Sequence, residues 1–170
     1  MGKARKSEVY APPTKTFYKV REFNDLKELM RQTKELHGER NAFEIKKRGK
    51  SGMQYITYNE YCDEIDALGT ALISMGYKGK HLAVCANNCY EWCLSYMAIV
   101  NGVGVVVPID KELLFPDLNG IFEKSETKLL FCDENLLKIL ERDKMDPEIQ
   151  IVCFDYDKDQ DGILAFRGLV

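Results

Sequence analysis

The stretch from Ile99 to Asp110 constrains the fold more than any other feature of this chain. Its sequence is IVNGVGVVVPID. The apolar part is shorter than the roughly 20 residues that span a bilayer, and its β-branched residues favour a strand over a helix. It predicts a strand buried on both faces, which Pro108 ends by removing an amide donor and which leaves Ile109 and Asp110 at its carboxyl end. Such strands are typical of parallel sheets, whose crevices open at the carboxyl ends of the strands.

The composition of the chain excludes several classes of protein. Its 170 residues, 45% of them hydrophobic, suffice for one ordinary domain, and a net charge of −3 gives no broad basic face for nucleic acid. Basic residues near the amino terminus are followed by Pro12–Pro13 without an apolar stretch, so we expect no secretory signal and no transmembrane segment. We expect residues 1–16 to form a flexible leader and residues 17–170 to fold.

Two helices and a hairpin are predicted in the first part of the chain. Asp25 and Thr57 each stand three residues before a glutamate, which is capping-box spacing, and each precedes an apolar pattern of helical period. Between these helices, Ala42–Lys46 and Met53–Ile56 flank the turn-rich segment Arg48–Gly52 and predict a hairpin.

Strands and helices alternate in the rest of the chain. The pattern first predicts a strand at His81–Ala86, a helix that Asn88 caps and that turns Trp92, Tyr96 and Ile99 inward, and the valine-rich strand. It then predicts a helix opened by Pro116, a strand at Lys128–Cys132, a helix at Asn135–Leu140 and a strand at Ile149–Phe154. A strand, a helix and a second strand in sequence imply a parallel crossover. The alternation therefore favours an α/β fold, namely a doubly wound, mostly parallel sheet with flanking helices and an amino-terminal hairpin.

The six cysteines lie in apolar helix or strand patterns rather than in short loops. We interpret them as free thiols of a protein in a reducing compartment, and we expect a cytoplasmic location. The alternative is a metal or cluster site on Cys85, Cys89 and Cys93. No histidine or fourth cysteine lies near them in the sequence, and zinc prefers a tighter paired spacing, so no metal site is expected.

Two ligand-binding motifs match only in part. Gly49–Ser51 has the ending of a phosphate-binding loop, but Glu44 stands where a glycine is required and the context is a hairpin. Alternate carboxylates in Asp157–Gly162 match the first positions of an EF-hand loop, but Gly168 replaces the glutamate at the twelfth position and a strand is expected before the loop. We favour a solvated acidic turn over a calcium site. No motif in the chain supplies a catalytic centre.

Three polar residues follow predicted strands and are candidates for a substrate crevice. Asn87 and Asn88 come after the His81–Ala86 strand, and Asp110 comes after the valine-rich strand. Helix capping and turn formation explain all three, and we favour that interpretation. Contact with a ligand in the crevice is the alternative.

Four short pieces in a fixed order carry a resemblance to a known family. They are Ile56–Tyr61, Leu68–Gly69, Ala86–Trp92 and Gly102–Asp110, followed by Lys111–Leu113 and the strand Leu129–Asp133. Together they resemble the opening segment of adenylate-forming enzymes, in particular AMP-dependent acyl-CoA synthetases such as the long-chain fatty-acid ligases. The resemblance covers roughly residues 24–155, and its specificity comes from the order and spacing of the pieces.

The resemblance implies a ligase that joins a carboxylate, expected to be a fatty acid, to ATP and then passes the acyl group to coenzyme A with the help of Mg²⁺. The Pro-Lys-Gly loop, the adenine- and ribose-binding segments and the catalytic lysine of that family should lie beyond Val170. Residues 17–170 are then the first α/β portion of the amino-terminal domain, inactive alone and without bound cofactors.

The partners implied are the remainder of the same enzyme and, in that enzyme, the carboxylate substrate. A sheet that stops midway leaves an unpaired edge or an apolar face, so we also expect self-association. A self-contained α/β binding or interaction module is the competing hypothesis, because a fold does not fix a function.

Overall fold

The computed structural model describes residues 21–46 and 52–170. The leader expected at residues 1–16 and most of the turn predicted at Arg48–Gly52 lie outside the described residues. The helices are α1 Leu26–His37, α2 Tyr58–Ser74, α3 Tyr90–Ala98, α4 Phe115–Lys124 and α5 Glu134–Leu137. The strands are β1 Asn41–Lys46, β2 Met53–Thr57, β3 His81–Cys85, β4 Val105–Pro108, β5 Thr127–Cys132, β6 Gln150–Cys153 and β7 Ile163–Ala165.

Strands β3 to β7 form one parallel sheet in the order β4-β3-β5-β6-β7. Strands β1 and β2 form the predicted antiparallel pair, with Lys46 opposite Met53. Helices alternate with the strands of the larger sheet along the chain up to β6. The mostly parallel α/β sheet with an amino-terminal hairpin is therefore confirmed.

The large sheet separates two apolar cores. Leu82 and Val84 of β3 pack on one face with residues of α2 and α3, whereas Ala83 and Cys85 pack on the other face with residues of α4 and α5. This alternation follows from the two-residue period of a strand. All four side chains are fully buried. Because helices cover both faces, the fold is doubly wound, as predicted.

The caps of the first two helices differ in completeness. At α2 the predicted capping box is present, since the Glu60 amide donates to Thr57 Oγ1 at 3.2 Å and the Thr57 amide donates to Glu60 Oε2 at 2.8 Å. At α1, Asp25 Oδ1 accepts from the Glu28 amide at 2.7 Å, but the Glu28 carboxylate accepts from Asn24 instead of closing the box. The prediction of a capping box at α1 was therefore wrong in its second half.

The valine-rich strand is shorter than predicted. Residues Ile99–Val103 continue α3 as a single π-helical turn, and the strand begins only at Val105. Gly102, inside this turn, interrupts the helical backbone with a φ of 131°, a conformation that glycine adopts at little cost. Gly104 then passes so close to Lys80 that an added Cβ would lie 2.2 Å from the Lys80 carbonyl oxygen. The apolar run therefore forms two elements, a helical turn and a strand, and Gly102 and Gly104 lie at the boundary between them.

Strand β4 is also less buried than predicted. It stands first in the sheet order, and within the described residues it pairs only with β3. The Val105 side chain is 52% exposed, while Val106 and Val107 are half-buried. The prediction of a strand buried on both faces was wrong because periodicity does not show whether a strand lies inside a sheet or at its edge. Pro108 does end the strand, as predicted.

Helix α3 begins later than predicted, and its predicted inward face is confirmed only in part. Its N-cap is Cys89 rather than Asn88, without a capping hydrogen bond from the side chain. The buried positions of α3 are Tyr90, Leu94, Ser95 and Ala98, and Ile99, which was predicted to point inward, is fully buried just after the helix. Trp92 and Tyr96 are only half-buried and stack with their ring centroids 5.4 Å apart. Small residues on the inner face allow the close approach of α2, where a Cβ on Gly69 would lie 3.8 Å from the Ala98 carbonyl oxygen.

The last third of the chain follows the predicted order with shifted bounds. Pro116 lies in the first turn of α4, and β5 and β6 fall within one residue of their predicted starts. Helix α5 is one turn long and ends at Leu137 instead of Leu140. Strand β7, which pairs with β6, was not predicted.

Candidate functional site

Polar residues gather where the parallel strands end. The chain reaches Asn87 after β3, Asp110 after β4 and Asp133 after β5. Because these strands are parallel neighbours, their carboxyl ends share one edge of the sheet. This edge is the place where ligands bind in open α/β sheets, which makes it the candidate site.

Asn87 and Asp133 are joined directly at this edge. The Asn87 backbone amide donates to Asp133 Oδ2 at 3.0 Å, and the Asn87 side-chain amide donates to the same oxygen at 2.7 Å. The other oxygen, Oδ1, accepts from the Leu136 amide at 2.9 Å and so caps α5. One carboxylate therefore fixes both the loop after β3 and the start of the helix after β5.

The environment keeps Asp133 ionised. The residue is only 9% exposed, and this burial alone would raise the pKa of its carboxyl group. Hydrogen bonds from Asn87 and Leu136 favour the charged form and outweigh burial, so the net effect is a lowered pKa. Asp133 is thus a buried, charged acceptor whose oxygens are already occupied.

The other two candidates stand apart from this pair. Asp110 is exposed, and its Oδ1 accepts from the Glu112 amide at 2.9 Å, which is a local turn contact. Asn88 is exposed and does not cap α3. The helix-capping role predicted for Asn88 is therefore wrong, whereas turn formation by Asp110 is observed.

Sequence reasoning missed Asp133 as a member of the site. The signal was present, since Asp133 follows an apolar strand, as Asp110 does, and stands three residues before the amide that it caps. Its bond with Asn87 spans 46 residues of sequence, and local patterns do not reveal such a partner.

Three cysteines form a row beneath this edge. Cys85, Cys132 and Cys153 occupy matched positions on β3, β5 and β6, and all three are fully buried. Burial, with a smaller effect from the charges of Asp133 and Asp110, raises the pKa of Cys85 to about 12. Burial also raises the pKa of Cys132 well above its usual value. These groups are therefore protonated thiols at neutral pH and poor nucleophiles.

All six cysteines are free thiols. Within residues 21–46 and 52–170, no three histidine, cysteine or acidic side chains approach closely enough to hold a metal ion. The acidic turn near the carboxyl terminus uses two of its carboxylates internally. Asp159 accepts from the Ala165 amide at 2.8 Å, and Asp157 accepts from Arg167 at 3.2 Å. The element before this turn is strand β6, as predicted, rather than the helix that an EF-hand requires.

Two cavities lie away from the carboxyl edge of the sheet. One, of about 320 Å³, is lined by Phe122, Thr127 and Ile149 near the opposite edge. The other, of about 420 Å³, lies between α1 and α2. In the part of the chain that the structure describes, no helix has the length and apolar character needed to cross a membrane.

Comparison with known proteins identifies the family. The sequence profile of the AMP-binding enzyme family matches residues 30–167. A Bacillus subtilis (strain 168) protein named as an acyl-CoA ligase, YdaB, is 31% identical over 119 residues, which are 69% of this chain and 23% of that protein. The chain therefore belongs to the AMP-binding enzyme family, and the resemblance to acyl-CoA synthetases is confirmed.

Solved structures agree on the fold. The anthranilate CoA ligase AuaEII, in complex with anthranoyl-AMP, matches with a TM-score of 0.72 and 18% identity over 86% of this chain and 27% of that one. A long-chain-fatty-acid-CoA ligase (FadD1) from Archaeoglobus fulgidus matches with a TM-score of 0.71 and 18% identity over 86% and 29%. The chain thus spans about a quarter of the length of these relatives.

Proposed function

We propose that this chain is the opening α/β portion of a ligase that activates a carboxylate with ATP and transfers the acyl group to coenzyme A. The observation that carries the proposal is the family match over residues 30–167, which runs through the doubly wound sheet from α1 to β7. The relatives that share this fold are named for anthranilate and for long-chain fatty acids. Both are carboxylates, and a fatty acid is the substrate that we propose.

The proposed reaction has two steps. A carboxylate oxygen attacks the α-phosphorus of ATP, the bond to the β-phosphate breaks, and pyrophosphate leaves with the bonding electrons. The thiolate of coenzyme A then attacks the acyl carbon, and AMP leaves. Both steps develop charge on phosphate and acyl oxygens, which calls for Mg²⁺ and for cationic or amide donors. We propose that the rest of the enzyme supplies these groups. We also propose that the enzyme is located in the cytosol.

We propose a supporting role for this chain within that enzyme. Asp133 and Asn87 hold two loops of the carboxyl edge together. Beside them, Asn88 and Asp110 are exposed and offer an amide and a carboxylate to anything that enters the crevice. The thiols of Cys85, Cys132 and Cys153 next to this edge are buried and protonated. The carboxyl edge of the sheet therefore supplies hydrogen bonds and shape but no thiol nucleophile.

The test is the exchange of radiolabelled pyrophosphate into ATP in the presence of a fatty acid. We expect no exchange with the chain alone, and exchange with a longer protein that contains this sequence and the later segments of the family. Exchange by the chain alone would contradict the supporting role. Absence of exchange from the longer protein across fatty and aromatic acids would contradict the proposed reaction and favour a binding module.

A further inference from the structure

Helix α3 carries two thiols and two aromatic rings along one face. Cys89, Trp92, Cys93 and Tyr96 follow one another at the spacing of a single helix face, and we call them the α3 stripe. All four are half-buried, so each keeps part of its surface exposed. The rings of Trp92 and Tyr96 stack on each other. The stripe therefore places a pair of thiols beside a pair of aromatic rings.

The two cysteines of the stripe differ from the other four of the chain. The other four are 7% exposed or less, namely Cys62, Cys85, Cys132 and Cys153. Cys89 and Cys93 are half-buried, with Cys89 as the N-cap of α3 and Cys93 one turn further on. A compound that needs two accessible thiols at once therefore finds one pair in this chain, and that pair is on α3.

The backbone holds the two thiols one helical turn apart. The Cys93 amide donates to the Cys89 carbonyl oxygen at 3.4 Å, and the Tyr61 hydroxyl of α2 donates to the Cys93 carbonyl oxygen at 3.1 Å. Side chains one turn apart have their Cβ atoms about 5–6 Å from each other. A disulfide needs about 3.5–4.5 Å. This spacing is too wide for a direct bond between the sulfurs but leaves room for one atom that bonds both.

We propose that the α3 stripe is a binding site for trivalent arsenicals that carry an aromatic group. Trivalent arsenic is a soft centre, and thiols are soft ligands. The two sulfurs of the stripe bond the arsenic, and the aromatic group lies against the stacked rings. The site is separate from the cysteine row in the sheet and does not depend on the proposed ligase activity.

The reaction with phenylarsine oxide needs no oxidant or reductant. Two As–S bonds form, the bonds between arsenic and oxygen break, and the oxygen leaves as water with the two thiol protons, while arsenic stays trivalent. Burial raises the pKa of Cys89 to about 12 and also raises the pKa of Cys93, so both groups enter the reaction as thiols. Because the leaving oxygen takes up their protons, free thiolates are not required.

The first test uses the wild-type chain and phenylarsine oxide. We expect the intact mass to show one arsenical bound per chain, with the loss of two hydrogens. Iodoacetamide is then applied for a time that alkylates Cys89 and Cys93 in the untreated chain. Both residues should be protected together when the arsenical is bound. Alkylation of either residue in the arsenical-bound chain would overturn the proposal.

A single-thiol variant tests whether the two sulfurs act together. Cys93→Ser leaves one As–S bond, which an excess of the monothiol glutathione can exchange, so the apparent affinity in glutathione should fall at least about a hundredfold. Cys62→Ser is the matched control, because it removes one thiol that lies on α2 instead of the stripe. It should bind as the wild type does. Full binding by Cys93→Ser, or loss of binding by Cys62→Ser, would contradict the assignment, and the protection test on the wild type needs no variant.

A second comparison tests the contact with the rings. Trp92 is the only tryptophan of the chain, so its fluorescence reports binding at the stripe. Phenylarsine oxide should bind about three- to tenfold more tightly than methylarsine oxide, because a phenyl group packs against aromatic rings. Trp92→Leu should remove most of this preference while both compounds still bind, as intact mass would show. Equal affinities for the wild type would overturn the role of the rings.

Discussion

Asn87 and Asp133 meet across neighbouring strands, with both amides of Asn87 donating to one carboxylate oxygen of Asp133 at 3.0 and 2.7 Å. The second oxygen of Asp133 caps α5. Since a single buried carboxylate satisfies three donors, its hydrogen bonds hold the carboxyl end of β3 to the carboxyl end of the neighbouring strand β5. The shape of the candidate site therefore depends on one side chain.

Replacing this carboxylate should destabilise the chain. Asp133→Ala removes a helix cap and leaves the donors of Asn87 and Leu136 without their acceptor, so we expect the free energy of unfolding to fall by about 2–3 kcal/mol. Urea denaturation measures the change. Asp110→Ala is the control, because Asp110 is exposed and serves only a local turn, and its loss should be well under half as large. Equal losses would contradict the linking role of Asp133.

The same carboxylate predicts a dependence of stability on pH. Hydrogen bonds lower the pKa of folded Asp133 below its ordinary value, which in an unfolded chain is about 3.9. The stabilisation is therefore fully present above that ordinary value and is lost as the pH falls through the lower folded value. We expect the difference in unfolding free energy between the wild type and Asp133→Asn to be constant above about pH 5 and to shrink in stronger acid. A difference that grows on acidification would contradict this account.

The buried thiol row should resist modification. Burial raises the pKa of Cys85 and Cys132, and both are fully buried, whereas Cys93 is half-buried. Mass spectrometry after timed treatment with iodoacetamide should find Cys93 alkylated well before the row. In urea all six thiols should react at similar rates. Early alkylation of Cys132 in the native chain would contradict its burial.

Helix α2 offers a matched test of which face packs on the sheet. Leu68 is fully buried, while Ile73 on the same helix is 41% exposed. Leu68→Ala should lower the free energy of unfolding by about 3 kcal/mol, because it removes packed methyl groups and leaves a cavity. Ile73→Ala should cost under about 1 kcal/mol. The reverse order in urea denaturation would show that the helix is rotated.

The exposed edge of β4 should promote self-association. Val105 is 52% exposed on a strand that pairs on one side within the described residues, and open apolar edges recruit further strands. Sedimentation velocity should show reversible dimers of the chain, which Val105→Lys weakens. Ile139→Lys places the same charge on an exposed apolar site outside the sheet and should leave dimerisation unchanged. A monomer at high concentration would contradict the prediction.

Local patterns predicted the elements whose causes are local. The capping box of Thr57 and Glu60, the proline at the start of α4 and the alternation of strands with helices all depend on neighbours in sequence, and all are observed. The π-helical turn at Ile99–Val103 was missed because the same apolar residues suit a helix end and a strand. The edge position of β4 was missed because it depends on which strands pair.

The candidate site was likewise predictable only where its features depend on neighbours in sequence. Asn87 and Asp110 could be placed at strand ends from the sequence, since each follows an apolar run. The bond between Asn87 and Asp133 could not, because it joins residues 46 positions apart. The inward face of α3 was predicted correctly at Ile99 but not at Trp92 and Tyr96 for a related reason, since the packing of α2 decides which side of that helix is covered.

The most direct test of the proposed reaction follows oxygen from the carboxylate into the products. A fatty acid labelled with ¹⁸O in its carboxylate is incubated with ATP, Mg²⁺, coenzyme A and a longer protein that contains this chain. An acyl adenylate predicts AMP that carries one ¹⁸O, because the attacking carboxylate oxygen stays on the α-phosphorus when the thiol displaces it. Label in inorganic phosphate with ADP as the nucleotide product, or unlabelled AMP, would contradict the assignment of this chain to an adenylate-forming ligase.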